Sequence, residues 1–242
     1  MTSWIVVVLV AFVSQMIDGS LGMGYKAISS SILLSVGIPP ATVTATTHAA
    51  GFFTSTASGA AHWREHNVVK RHLVQLAVSG VAGGLLGCLV VTSFDAAVLK
   101  KFMASMLILV ALRIILQFSR SSVERTKWLK LPPLGVVGGF LDAVGGGGWG
   151  PVVTTGTIEI TGVPRTSIGT SNAAEAFVSG AVAVALVGSD RVSDWSLVLW
   201  LALGGLLAAP FAAKITRRMS PRAAGLAVGV LLLLLNLRTL LT

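Results

Sequence analysis

Long apolar runs alternate with short polar gaps along the whole chain. Ten runs can be drawn: about 4–17, 21–36, 41–61, 72–92 and 97–118 in the first half, and about 132–143, 149–162, 166–187, 195–214 and 221–241 in the second. A helix that crosses a bilayer needs roughly 20 apolar residues. The pattern therefore predicts an all-α polytopic membrane protein with five helical segments in each half. The stretch 119–131, rich in Arg, Lys and Ser, is the candidate linker. It divides a first transmembrane repeat, 1–118, from a second, 132–242.

Composition narrows the class further. Of 242 residues, 54% are apolar and 11% charged, against about 45–50% and about 25% in an average soluble domain. This excludes an ordinary soluble enzyme, a disordered chain and a disulfide-stapled domain. The single Cys88 lies in an apolar run and reads as a small packing residue. Residues 4–17 read as part of the fold, because no basic residue precedes them and no small-residue cleavage site follows.

The net charge of +9 is a topological signal rather than a nucleic-acid footprint. On the predicted topology one side of the membrane receives Arg64, Lys70, Arg71, Arg120, Arg125, Lys127, Lys130, Arg165, Lys214, Arg217, Arg218 and Arg222, while the other receives Lys100, Lys101, Arg191 and Arg238. Loop Lys and Arg accumulate on the cytoplasmic side. The bias places both termini outside, in the bacterial cytoplasmic (inner) membrane.

The two halves repeat each other. An offset of 124 pairs Asp18 with Asp142, Gly22 with Gly146, Gly24 with Gly148 and Tyr25 with Trp149. After one inserted residue, an offset of 125 pairs Gly37-Ile38-Pro39 with Gly162-Val163-Pro164, and Thr46 and Thr47 with Ser171 and Asn172. The ordered set predicts duplication. The first segment of each half is short before its glycine break, and broken helices are tolerated in membranes where protein or a cavity covers the backbone. Each half then reads as a glycine-broken helix pair, re-entrant or fully spanning, followed by three transmembrane helices. An odd number of crossings per half makes the repeats inverted.

Four carboxylates fall in or near apolar segments: Asp18, Asp142, Glu159 and Glu175. A charge at the bilayer centre costs about 2.5–3.5 kcal/mol on insertion scales, so each is a functional candidate. Asp18 and Asp142 suit proton coupling or capping of the helix after the break. Glu175 lies about one turn beyond Asn172, and His48 is a further candidate proton carrier. Lys26, the one lysine of the first three segments, suits attraction of an anion, a partner role for Asp18, or snorkelling.

The glycine breaks begin helices whose free N–H groups and positive dipole end favour an anion. The candidate substrate-binding set is Gly22, Gly24, Tyr25, Lys26, Thr46, Thr47, Gly146, Gly147, Gly148, Trp149, Ser171 and Asn172. Close packing through small residues is the competing use of those glycines and hydroxyls. The chain has no nucleotide loop, no enzyme constellation and no supported metal site; no cofactor is expected.

In these motifs the chain resembles the TauE/SafE, or sulfite exporter, family over essentially its full length. The Gly145–Trp149 run ending at Pro151 is the more specific match; Ser20, Leu21 and Met23 stand where a denser glycine run is typical. The resemblance implies a secondary transporter, an exporter, of a small sulfur-containing anion such as sulfite or an organosulfonate, with protons as candidate coupling ion. A passive anion channel and a non-transporting membrane assembly factor are the alternatives.

Overall fold

A computed structural model describes residues 4–119, 130–189, 194–215 and 221–241. Arg120, Arg125, Lys127, Arg191, Arg217 and Arg218, and most of the linker 119–131, lie outside the described residues.

The described chain is helical throughout: α1 Trp4–Leu21, α2 Tyr25–Ser35, α3 Pro40–Arg64, α4 Lys70–Ser93, α5 Ala96–Ser119, α6 Leu131–Gly145, a π-helical turn Gly150–Thr154, α7 Thr155–Thr161, α8 Pro164–Val187, α9 Trp195–Ile215 and α10 Pro221–Leu241. Among the described residues six helices are long and apolar enough to cross a membrane: α1, α4, α5, α8, α9 and α10. Their outer faces carry leucine and valine, as in Val74, Val78, Leu85 and Leu89 of α4 and Leu109, Leu112 and Leu116 of α5. In water such faces would demand a partner; acyl chains meet the need directly. The protein is thus an all-α polytopic membrane protein.

α3 is long, at 25 residues, but carries Thr and Ser in place of Leu and Ile. Those hydroxyls are buried: Thr44, Thr46, Thr47, Thr54, Ser55 and Ser58 all face the interior. α3 and α8 are the central helices, and each begins on a proline at its first helical position, Pro40 and Pro164, where the missing N–H costs nothing.

The helix break falls later than the sequence pattern suggests. α1 continues through Asp18 and Gly19 to Leu21, because glycine inside a packed helix is a modest cost. The turn comes at Gly22, with φ of 74°, and its counterpart Gly146 has φ of 69°. Side chains rarely adopt this left-handed region, which glycine enters freely. In the second half, residues 149–162 form the π-helical turn and the short α7 rather than one continuous helix.

Packing between the halves is reciprocal. α1 lies along α9 and α4 along α6; α3 crosses α8 and α5 crosses α10; α3 also meets α9, and α4 meets α8. Exchanging each helix for its counterpart leaves this set of pairs unchanged. α3 and α8 run antiparallel, with Gly59 against Ala173 and Gly180 against Phe52. α4 and α6 run parallel and very close, with Gly80, Gly83, Gly135 and Gly139 at the contact. Small residues let membrane helices approach to backbone distance, where van der Waals contact replaces the missing hydrophobic drive.

This contact separates structural glycines from tolerant ones. A Cβ on Gly83 would overlap the Val136 carbonyl, whereas one on Gly145 would meet Met106 at 3.4 Å. Overpacking costs about 1–3 kcal/mol, so Gly83→Ala is expected to lower the thermal midpoint in detergent by roughly 2–12 °C. Gly145→Ala is expected to leave it nearly unchanged, although Gly145 belongs to the conspicuous glycine run. Equal midpoints for the two variants would contradict the packing described.

Candidate functional site

The site grows out of the two helix breaks. Asp18 sits one turn before the end of α1, and its Oδ1 accepts the backbone N–H of Tyr25, the first residue of α2, at 3.3 Å. Asp142 holds the same place in α6, and its Oδ1 accepts the N–H of Trp149 at 3.0 Å. Each aspartate therefore caps the next helical element from seven residues upstream. Two N–H groups expected to be free for an anion are engaged by the protein's own carboxylates.

The breaks also bond to each other. Thr154 donates to the Gly22 carbonyl at 2.8 Å, and Ser30 donates to the Gly146 carbonyl. Ser30 and Thr154 stand 124 residues apart, the offset that relates the two aspartates. Gly147 lies against the backbone of Ala27, and Gly150 against Gly22 and Met23. No bulkier residue fits there.

Across this junction Lys26 extends from the first turn of α2 into the second half. Its ammonium donates to Asp142 Oδ2, to Glu175 Oε1 at 2.9 Å and to Ser179 Oγ at 3.1 Å. Three donors meet three acceptors, the full capacity of an ammonium group. Asp142 Oδ2 also meets His48 Nε2 at 3.2 Å, while His48 Nδ1 meets the Thr44 carbonyl at 2.9 Å. A carbonyl only accepts, so Nδ1 carries a hydrogen. The Nε2 contact becomes a hydrogen bond when one further proton lies between imidazole and carboxylate. Lys26, His48, Asp142 and Glu175 are all buried.

Lys26 does not pair with Asp18, its nearby acid along the chain. Asp18 forms no ion pair among the described residues. At the offsets of 124 and 125 residues Lys26 and His48 align with Gly150 and Ala173, and both side chains lie on the Asp142 side.

The remaining predicted residues divide between core and junction. The Tyr25 hydroxyl donates to the Leu201 carbonyl at 3.1 Å, and the fully buried Trp149 donates its indole N–H to the Ser171 carbonyl at 3.1 Å. Gly24 and Gly148 offer their carbonyls to Ile28 and Val152. Thr47 bonds back to Val43 and receives Ser30 at 3.4 Å. Ser171 shares a hydrogen bond with Thr154 at 2.7 Å, and the Asn172 amide donates to Ser58 at 3.1 Å. The Thr46 hydroxyl and the Asn172 carbonyl oxygen have no protein partner. Buried polar atoms of this kind are uncommon and suit a bound water or ligand.

Ser179, Ser30 and Thr154 were not among the expected site residues, although the 124-residue offset links the last two. Arg113 was also missed. It donates to the Pro151 carbonyl at 2.8 Å and approaches Glu159 at 3.6 Å on a half-exposed face. Beside the buried cluster, an apolar groove of about 1050 Å³ runs between α3 and α8, with Phe52, Phe53, Phe177 and Val184 in its walls. Ser55, which lines that groove, lies beside the Glu175 carboxylate.

Apolar spans around a junction of broken helices and a self-compensated charge cluster mark the chain as a polytopic membrane transporter. The model for the family described as sulfite exporter TauE/SafE matches residues 7–239, and the chain belongs to that family. It is 36% identical over 255 residues to the probable membrane transporter protein YtnM of Bacillus subtilis (strain 168), covering 100% of this chain and 84% of the relative. The probable membrane transporter protein YjnA of the same organism is 24% identical, with 90% and 91% covered. The probable membrane transporter protein ORF9 of Sinorhizobium sp is 29% identical over 63% of this chain and 59% of its own. No solved structure is a significant match.

Removing one member of a buried ion pair costs about 3–5 kcal/mol, because its partner stays charged and unpaired. Lys26→Met leaves two carboxylates facing each other and is expected to be the most destabilising single change in the cluster. Adding Asp142→Asn to it is expected to recover part of the loss. A double-mutant cycle on thermal unfolding in detergent measures this; strictly additive losses would show that the pair carries no coupling.

Proposed function

We propose that the protein is a secondary transporter that exports a small sulfur-containing anion, sulfite or an organosulfonate, across the bacterial cytoplasmic membrane. The observation that carries the reading is the buried Lys26 ammonium at the junction of the two breaks, in a chain of the sulfite exporter family. A lysine inside a membrane domain is expensive and marks a substrate or ion path. On the same helices the Thr46 hydroxyl has no protein partner and is a further donor for an oxyanion, while Thr47, Ser171 and the Asn172 amide are engaged by the protein and would have to exchange partners to join it.

The two halves, 1–118 and 132–242, are proposed as inverted repeats joined by the linker 119–131. The antiparallel crossing of α3 with α8 supports this, as does the reciprocal packing. Alternating access then follows from one half rocking on the other around the junction. Protons are proposed as the coupling ion, carried by Asp18, Asp142, His48 and Glu175. Both termini are proposed to lie outside.

Proteoliposomes test the reading. Efflux of sulfite and of methanesulfonate is expected to accelerate when a proton gradient is imposed. In the Asp18→Asn, Asp142→Asn double variant that acceleration is expected to fall at least tenfold. Undiminished proton dependence in the double variant would remove these carboxylates from coupling. Flux that follows the electrical potential alone would make the protein a channel. No movement of any sulfur anion would refute the transport of this substrate class.

A further inference from the structure

The Lys26 ammonium has no hydrogen left to offer. Its three donors already hold Asp142, Glu175 and Ser179. An anion that binds this cation must displace one of them, and the three are not equivalent.

Ser179 is uncharged. Its departure would leave the incoming anion crowded against both carboxylates around a single positive charge. Asp142 is bound elsewhere: Oδ1 receives the Trp149 N–H, and Oδ2 also meets His48. Withdrawing it would undo the second helix break. Glu175 reaches Lys26 through one oxygen at 2.9 Å, and it lies beside Ser55, at the wall of the open groove between α3 and α8. Its longer side chain has somewhere to go and no turn depends on it.

Charge balance then decides the state in which it leaves. With a proton shared between His48 and Asp142, the charges of Lys26, His48, Asp142 and Glu175 sum to zero. The groups facing Lys26 come from α3, α6 and α8, with Asp18 of α1 at the neighbouring break. α10 contributes the amide of Asn236, which reaches Ser31. An added anion would make the buried cluster net negative, which a low-dielectric site strongly opposes. A proton arriving with it restores neutrality.

We infer that Glu175 is the exchangeable ligand of Lys26: it leaves the ammonium as a neutral acid when the substrate anion arrives, so one proton enters the cluster with each monovalent anion. The carboxylate of Glu175 gains the proton, and an oxygen of the anion takes over the freed N–H. No covalent bond of the substrate changes. The inference rests on the reading of the protein as an anion transporter and specifies how its cation is shared.

The test uses methanesulfonate, whose sulfonate stays ionised across the pH range, beside sulfite. Binding to the full-length protein in detergent is followed by calorimetry from pH 5.5 to 8.5, in buffers of differing ionisation enthalpy. For the wild type, Kd is expected to rise by up to about tenfold per pH unit, with about one proton taken up per anion. Glu175→Gln is expected to bind methanesulfonate with a flat pH profile, and Glu175→Asp to restore the slope. Lys26→Met is expected to lose binding at least tenfold.

A wild-type protein that takes up no proton would overturn the inference without reference to any variant. So would a slope that survives Glu175→Gln and disappears in His48→Gln. Undiminished binding in Lys26→Met, or no binding of either probe by the wild type, would remove the anion from Lys26. If sulfite still crosses proteoliposomes in any of these cases, the transport reading stands and only the exchange at Lys26 fails. If no sulfur anion crosses, the transport reading itself has failed.

Discussion

An ammonium ion carried into a membrane domain must find an acceptor for each of its hydrogens and a negative charge to offset its own. That demand, made by Lys26, organises the centre of this protein. Its acceptors come from α6 and α8, whereas Lys26 belongs to α2. The first half therefore satisfies its lysine only by docking on the second. The close approach this requires explains the small residues around it. Gly147 seats against Ala27, and Gly51 leaves room for the Lys26 methylenes. A side chain at Gly147 would collide with the Ala27 backbone and push the charge away from its partners, whereas a methyl at Gly51 would make only ordinary contact with Lys26, at 3.5 Å. An unpaired charge is a much larger loss than the flexibility that a glycine adds to the unfolded chain.

Asp142 serves backbone and charge together. One oxygen closes the turn into the π-helical segment, and the other holds Lys26 and His48. A carboxylate used in this way is positioned by the main chain and does not need its own packing to aim it. Read from the sequence, capping of the next helix could coexist with a coupling role; in the structure Asp142 both caps a turn and joins an ion pair. The geometry also ties the shape of the break to the charge of the cluster. A change in either alters the other.

Much of this was legible from the chain. The apolar runs define the membrane class, and the 124-residue offset marks Asp18 and Asp142 as equivalent before any contact is known. The two aspartates make the same kind of hydrogen bond, to the N–H groups of Tyr25 and Trp149 seven residues on. The end of α1 was harder to place, because Asp18-Gly19 has the composition of a break and yet stays helical. Lys26 was the least predictable. Its partners lie 116 and 153 residues away for Asp142 and Ser179, so local spacing favours Asp18. A contact between halves depends on how the helices cross, and periodicity carries no information about that.

Set against the proposed repeat, the charges are asymmetric. Several backbone features come in pairs: the left-handed glycines Gly22 and Gly146 at the breaks, the two capping aspartates, and one hydroxyl crossing from each half to the other's break. The cationic side chains do not. Gly150 and Ala173 occupy the places of Lys26 and His48, and Ala50 that of Glu175. Two symmetric lysines would bring two ammonium groups to neighbouring breaks and require twice the carboxylates to neutralise them. With one lysine, the same scaffold holds a single neutralised centre beside the exchange of helix contacts that the repeats allow. On the proposed mechanism that limits each cycle to one anion. It leaves Asp18, capped onto Tyr25 and without an ion-pair partner among the described residues, as the carboxylate whose charge is least compensated. On the proposed reading the asymmetry sets one cation and its three ligands at the Asp142 break, where the anion and the proton taken up by Glu175 meet.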